Sequence, residues 1–165
     1  MKTIKVETIV YEYSNLFELS ELDQEVIRKA KESAINSYSP YSKFQVGSAV
    51  YLENGEIISG NNQENAAYPS GLCAERVALF YANSRFADQK VKIIAIAAKG
   101  KNGFTSEPVS PCGSCRQVMI ESEERFEEPI KLILVGEDKI LVLSNIKQLL
   151  PLSFDKSLFL QNNKV

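Results

Sequence analysis

The chain contains three cysteines and no histidine. The cysteines fall in two short motifs, Cys73-Ala74-Glu75-Arg76 and Pro111-Cys112-Gly113-Ser114-Cys115-Arg116-Gln117. Without histidine, nucleophilic mechanisms of the Ser-His-Asp or Cys-His kind are excluded, as is a His-Glu-x-x-His metal site. A bound metal must be held by thiolates or carboxylates. Structural zinc sites use four protein ligands, whereas catalytic ones use three and leave a position for water. Three cysteines with no histidine match the catalytic pattern. A Cys-x-x-Cys pair alone would equally suit a redox couple or half of a zinc knuckle, and a single cysteine is often only a buried apolar residue. The two motifs together point to Zn²⁺ on Cys73, Cys112 and Cys115. An odd count in a chain of 165 residues argues against a disulfide framework. Glu75 lies two positions from Cys73, and with histidine missing a carboxylate is the expected proton carrier.

The elements that must position these residues follow from pattern. Ser20-Glu21-Leu22-Asp23 reads as the capped start of a helix over 20–37, with Leu22, Val26, Ala30 and Ala34 on one face. Strands are expected over 45–52 and 56–59, joined by Asn54-Gly55 as a hairpin turn. A polar loop over 60–71 leads to Cys73, followed by a helix over 72–84. The continuous apolar run over 92–98 reads as a strand buried on both faces. A second helix begins at Cys112 or Gly113 and runs to about 122. Strands over 130–135 and 139–143 follow, then a short helix over 145–150 stopped by Pro151. The link 136–138 is too short for a parallel crossover, so the last two strands must form an antiparallel hairpin. The expected fold is α/β: a mixed sheet of about five strands with helices on both faces.

Both cysteine motifs fall at helix starts. Each helix N-terminus carries about +0.5 of charge, which favours the thiolate form. Three thiolates on Zn²⁺ leave a net charge of about −1, unfavourable for polarising water. Two helix N-termini offset this, and Arg76 is expected to add a further positive charge as a donor to the sulfurs.

Composition narrows the class. A net charge of −2 and 44% hydrophobic residues suit one globular domain over 1–165, without the basic surface that a nucleic acid polymer requires. No segment reads as a membrane span or as the continuous apolar run of a signal peptide. With its free thiols, the chain is expected in the cytoplasm, acting on a small molecule.

Five segments in order make the chain resemble the cytidine deaminases of the small, homotetrameric type. They are the two cysteine motifs, Tyr41-Ser42-Lys43-Phe44-Gln45-Val46-Gly47, Asn62-Gln63-Glu64-Asn65-Ala66-Ala67-Tyr68, and Leu149-Leu150-Pro151-Leu152-Ser153-Phe154. The first motif commonly has histidine where this chain has Cys73, and the all-cysteine set is the family's variant. The resemblance implies one Zn²⁺ per subunit on Cys73, Cys112 and Cys115, with Glu75 as proton shuttle. It implies that Asn62 and Glu64 hold the sugar 3′-hydroxyl and that Phe44 packs against the base. The Ala74 N–H and groups near Ser110 would hold the pyrimidine carbonyl. Phe154 and Tyr68 would reach a neighbouring subunit's pocket within a homotetramer. The implied reaction is hydrolytic deamination of cytidine and deoxycytidine in pyrimidine salvage. Deaminases of tRNA or DNA place a helix where this chain has its last hairpin, which favours the free-nucleoside branch.

Other readings stay open at this point. A deaminase of another cytosine-bearing molecule, such as a blasticidin-type antibiotic, would share these motifs. A silent binding module on the same fold is disfavoured by the intact Glu75 and three cysteines. Residues 1–20 are unusual for the family, and Ile4, Val6, Ile9 and Val10 suggest an extra edge strand or a subunit contact. The tail over 155–165 is expected to fray. The glutamates between Glu121 and Glu128 read as a solvated helix end without function.

Overall fold

The apolar run near residue 95 becomes the middle of the molecule. The computed structural model describes residues 1–160, so the last five residues of the expected tail lie outside the described residues. Among the described residues seven strands form one sheet: β1 (Tyr11–Tyr13), β2 (Gln45–Leu52), β3 (Ile57–Asn61), β4 (Val91–Gly100), β5 (Gly103–Phe104), β6 (Lys131–Val135) and β7 (Ile140–Leu143). Their order is β1-β7-β6-β4-β2-β3, with β5 folded back on the end of β4. β4 and β6 run parallel; the other neighbours are antiparallel, including the terminal β6–β7 hairpin.

Helices cover both faces. On one face α1 (Glu21–Ile35) packs Val26, Ile27 and Ala30 against Ile93, Ala95 and Ala97 of β4 and Ile133 of β6. On the other, α2 (Ala74–Arg85) and α3 (Gly113–Phe126) pack Leu79, Met119 and Ile120 against Ile94, Ile96, Leu132 and Leu134. Successive residues of β4 thus enter opposite cores, which is why its sequence shows no polar alternation. Two glycines set the helix distances. A Cβ at Gly47 would stand 2.0 Å from the Ala30 carbonyl oxygen, and one at Gly60 2.5 Å from the Ala78 nitrogen. The second contact seats α2, and with it the first cysteine motif, directly on β3. No helix of the described residues is long and apolar enough to cross a membrane.

Three expectations need correction. The buried stripe of α1 is Asp23, Val26, Ile27, Ala30 and Ala34, while Leu22 is exposed. Asp23 takes the inward position because it is paired: its carboxylate accepts from Lys131 Nζ at 2.8 Å and from the capping Ser20 hydroxyl at 2.7 Å. The extra edge strand does exist, but it is Tyr11–Tyr13 on β7; Ile4, Val6, Ile9 and Val10 stay exposed ahead of it.

The third correction concerns the glutamates at the end of α3. Glu123 is buried, and its Oε2 accepts from the Ile130 and Ile146 backbone nitrogens at 3.0 and 2.7 Å. Glu128 pairs with Lys90 and Lys92, and Glu124 with Lys147. Glu123 therefore clamps the starts of β6 and of the 3-10 turn Ile146–Leu149 to α3. Glu123→Ala would leave two buried N–H groups unpaired, and we expect urea unfolding to show a loss of roughly 2–6 kcal/mol. A loss within about 0.5 kcal/mol, the range of ordinary surface changes, would refute the clamp.

Candidate active site

Cys73 and Cys112 are the N-cap residues of α2 and α3, and Cys115 lies in the first turn of α3. Neither cysteine side chain caps its helix, so both sulfurs are free to face each other across the gap. Cys73 Sγ lies 3.8 Å from Cys112 Sγ, and Cys112 Sγ lies 3.4 Å from Cys115 Sγ. All three sulfurs fall within 4.8 Å of one another. Tetrahedral ligation with Zn–S near 2.3 Å places sulfurs about 3.8 Å apart. The donor set therefore fits zinc in both chemistry and spacing. Cys115 is buried, Cys73 half-buried and Cys112 exposed.

Charge is arranged around this cluster. Arg76 Nη2 donates to Cys73 Sγ at 3.7 Å. The Cys73 thiol is held well below its ordinary range by the hydrogen bond from Cys115 and by Arg76 beside it. Cys115 is pushed the other way, because it gives that hydrogen bond and is buried. Glu75, in the first turn of α2, is 4% exposed. Burial raises its carboxyl above the usual range, and the charge on Cys73 adds to the effect. A carboxyl that holds its proton more tightly than usual, two residues after Cys73 at the same helix start, is chemically suited to carrying a proton.

A cavity of about 610 Å³ opens beside Cys73 and Arg76, and Tyr41, Asn62, Glu64 and Tyr68 line it. Asn62 spans the start of β2: its Oδ1 accepts from Val46 N at 2.8 Å, and its Nδ2 donates to the Phe44 carbonyl at 2.9 Å. Glu64 Oε2 accepts from the backbone nitrogens of Tyr41 and Ser42 at 2.9 and 3.2 Å. The Ser42 hydroxyl and these amides keep its carboxyl below the ordinary range. Both side chains therefore build the wall as well as facing the space. Phe44, Ala74, Glu75 and Phe154 do not line the cavity of the single chain. Phe44 is half-buried, and Ala74 and Glu75 lie buried at the start of α2. Phe154 is 58% and Tyr68 79% exposed. The sequence motifs had not marked the backbone of Tyr41 and Ser42 as partners of Glu64; only the closure of the loop 38–44 onto the loop 62–64 reveals it.

Comparison with known proteins agrees with this geometry. Residues 20–126 match the family described as the cytidine and deoxycytidylate deaminase zinc-binding region. The chain belongs to this family. A cytidine deaminase of Halalkalibacterium halodurans is 44% identical over 98 residues, which cover 59% of this chain and 70% of that protein. The crystal structure of cytidine deaminase from Burkholderia pseudomallei superposes with a TM-score of 0.69 at 34% identity, covering 82% of this chain and all (100%) of the other. A blasticidin-S deaminase of Bacillus cereus is 28% identical over 147 residues, 86% of this chain and 98% of that protein. The cluster of Cys73, Cys112 and Cys115 is accordingly the site of a single Zn²⁺ in a zinc-binding deaminase fold.

Proposed function

We propose that this protein hydrolyses free cytidine and deoxycytidine to uridine and deoxyuridine with release of ammonia. The observation that carries this reading is the convergence of three sulfurs at ligand spacing, a buried Glu75 next to them, and a nucleoside-sized cavity alongside. Zinc, when bound, supplies a Lewis acid that activates water for attack on the amino-bearing ring carbon. Glu75 takes up the water's proton and delivers it to the adjacent ring nitrogen, which makes the carbon electrophilic. The same carboxyl next carries a proton to the departing amine. Arg76 offsets the thiolate charge through its contact with Cys73.

Substrate roles follow from the lining. Asn62 and Glu64 face the space where a ribose would stand, and the free Glu64 oxygen and second Asn62 N–H suit the 3′-hydroxyl. The Ala74 N–H, at the start of α2, and groups near Ser110 would hold the pyrimidine carbonyl, with Phe44 against the base. The exposure of Phe154 and Tyr68 supports an assembly in which these rings complete a neighbouring subunit's pocket, as in a homotetramer. The absence of a broad positive charge and the β6–β7 hairpin favour a free nucleoside over a polymer. Free thiols suit a cytoplasmic setting.

The relation to a blasticidin-S deaminase, which spans nearly that whole protein, sustains a second reading with that antibiotic class as substrate. Ammonia release from cytidine and from blasticidin S, assayed side by side, separates the two. Turnover of cytidine alone supports the first reading, and turnover of blasticidin S alone replaces it. Phe154→Ala should raise KM roughly 10- to 150-fold, the value of about 1.5–3 kcal/mol for one buried aromatic side chain. Gel filtration should show the assembly unchanged; an unaltered KM would remove Phe154 from the pocket.

A further inference from the structure

The last two residues of the second cysteine motif lie outside the zinc cluster and reach towards the C-terminal segment. Arg116 Nε donates to the Pro111 carbonyl at 2.9 Å and its Nη1 to the Leu149 carbonyl at 3.0 Å. Gln117 Nε2 donates to the Phe154 carbonyl at 2.8 Å. Further along α3, Lys156 Nζ donates to the Glu124 carbonyl at 2.6 Å. Residues 149–156 are thus tied to α3 at three points. Between those points the chain has no regular structure. Leu152 sits in the left-handed region at φ 59° with its side chain 98% exposed, and the Phe154 ring meets Phe159 edge-on with centroids 5.5 Å apart. Such a segment has little burial to hold it, so a hydrogen bond to a rigid helix decides where its backbone stands.

We propose that Gln117 is a positioning residue for substrate binding. By holding the Phe154 carbonyl on the helix that carries Cys112 and Cys115, it places the Phe154 ring for the neighbouring nucleoside pocket. The role rests on the proposed function, in which Phe154 completes that pocket. Two adjacent residues of one motif then do separate work. Arg116 fixes the approach to Cys112 through Pro111, and Gln117 fixes the residue that meets substrate in the next subunit.

The test compares Gln117→Met, Phe154→Ala and the double variant with the wild type. Methionine keeps the length of glutamine and removes the donor. Zinc content and gel-filtration volume should be unchanged in Gln117→Met, with kcat within about twofold and KM for cytidine raised about three- to tenfold, as for one lost hydrogen bond. In the Phe154→Ala background the same change should leave KM where it is, because the ring being placed is gone. Gln117→Lys, which restores a donor of similar reach, should recover most of the wild-type KM. Hydrogen exchange read without substrate should quicken at the amides of 152–156 in Gln117→Met. Unchanged exchange there overturns the latch. A KM that responds to Phe154→Ala but not to Gln117→Met, or effects that multiply in the double variant, overturns the positioning role alone. A KM unmoved by Phe154→Ala overturns it together with the assigned role of Phe154.

Discussion

Glu75→Gln is expected to retain one zinc per chain and to lose about 10²- to 10⁴-fold in kcat. The two halves of that result have different causes. Zinc stays because the three sulfurs that hold it come from Cys73, Cys112 and Cys115, and Glu75 is not one of them. Turnover falls because an amide of the same shape cannot accept a proton and pass it on. The side chain is 4% exposed at the start of α2, so no bulk water stands ready to replace it. Burial also raises its carboxyl above the usual range, which suits the proton-carrying role proposed for it. Metal analysis and steady-state kinetics on the same preparation check both halves. Near-normal turnover with full zinc would show that the proton travels by another route.

Removing the metal is expected to abolish turnover and to loosen the molecule as well. The cluster joins the N-terminus of α2 to that of α3, two helices that pack on the same face of the sheet. A ligand bound only by the folded state at a hundred times its Kd adds about 2.7 kcal/mol. In a chain of this size that corresponds to a melting temperature roughly 5–11 °C lower without zinc. The protein should nevertheless remain folded, because apart from Cys115 and Cys73 the two apolar clusters on either side of the sheet are built from residues that do not bind the metal. Chelator-treated protein should regain activity and melting temperature when zinc is returned. Cys115→Ala, which deletes the buried ligand, should regain neither. Full activity in zinc-free protein would dismiss a catalytic metal.

The parts of this protein that could be read from the chain are those governed by residue type and short spacing. Two cysteine motifs without histidine leave few ligand sets, and helix starts at Cys73 and Cys112 place both motifs where thiolates are favoured. A link of only a few residues dictates the β6–β7 hairpin, and an uninterrupted apolar run marks β4 as central. What escaped such reading depends on partners far along the chain. Glu123 resembles the other glutamates of its stretch until folding brings the amides of Ile130 and Ile146, 7 and 23 residues away, onto its carboxylate. Asp23 displaces Leu22 from the core because Lys131, 108 residues on, supplies the counter-charge. Glu64 and Asn62 look like loop polarity in sequence, yet they brace backbone 22 and 18 residues away and so shape the cavity they line. A local motif carries its own chemistry, whereas the cost of burying a polar group is set by whichever donor the fold delivers to it.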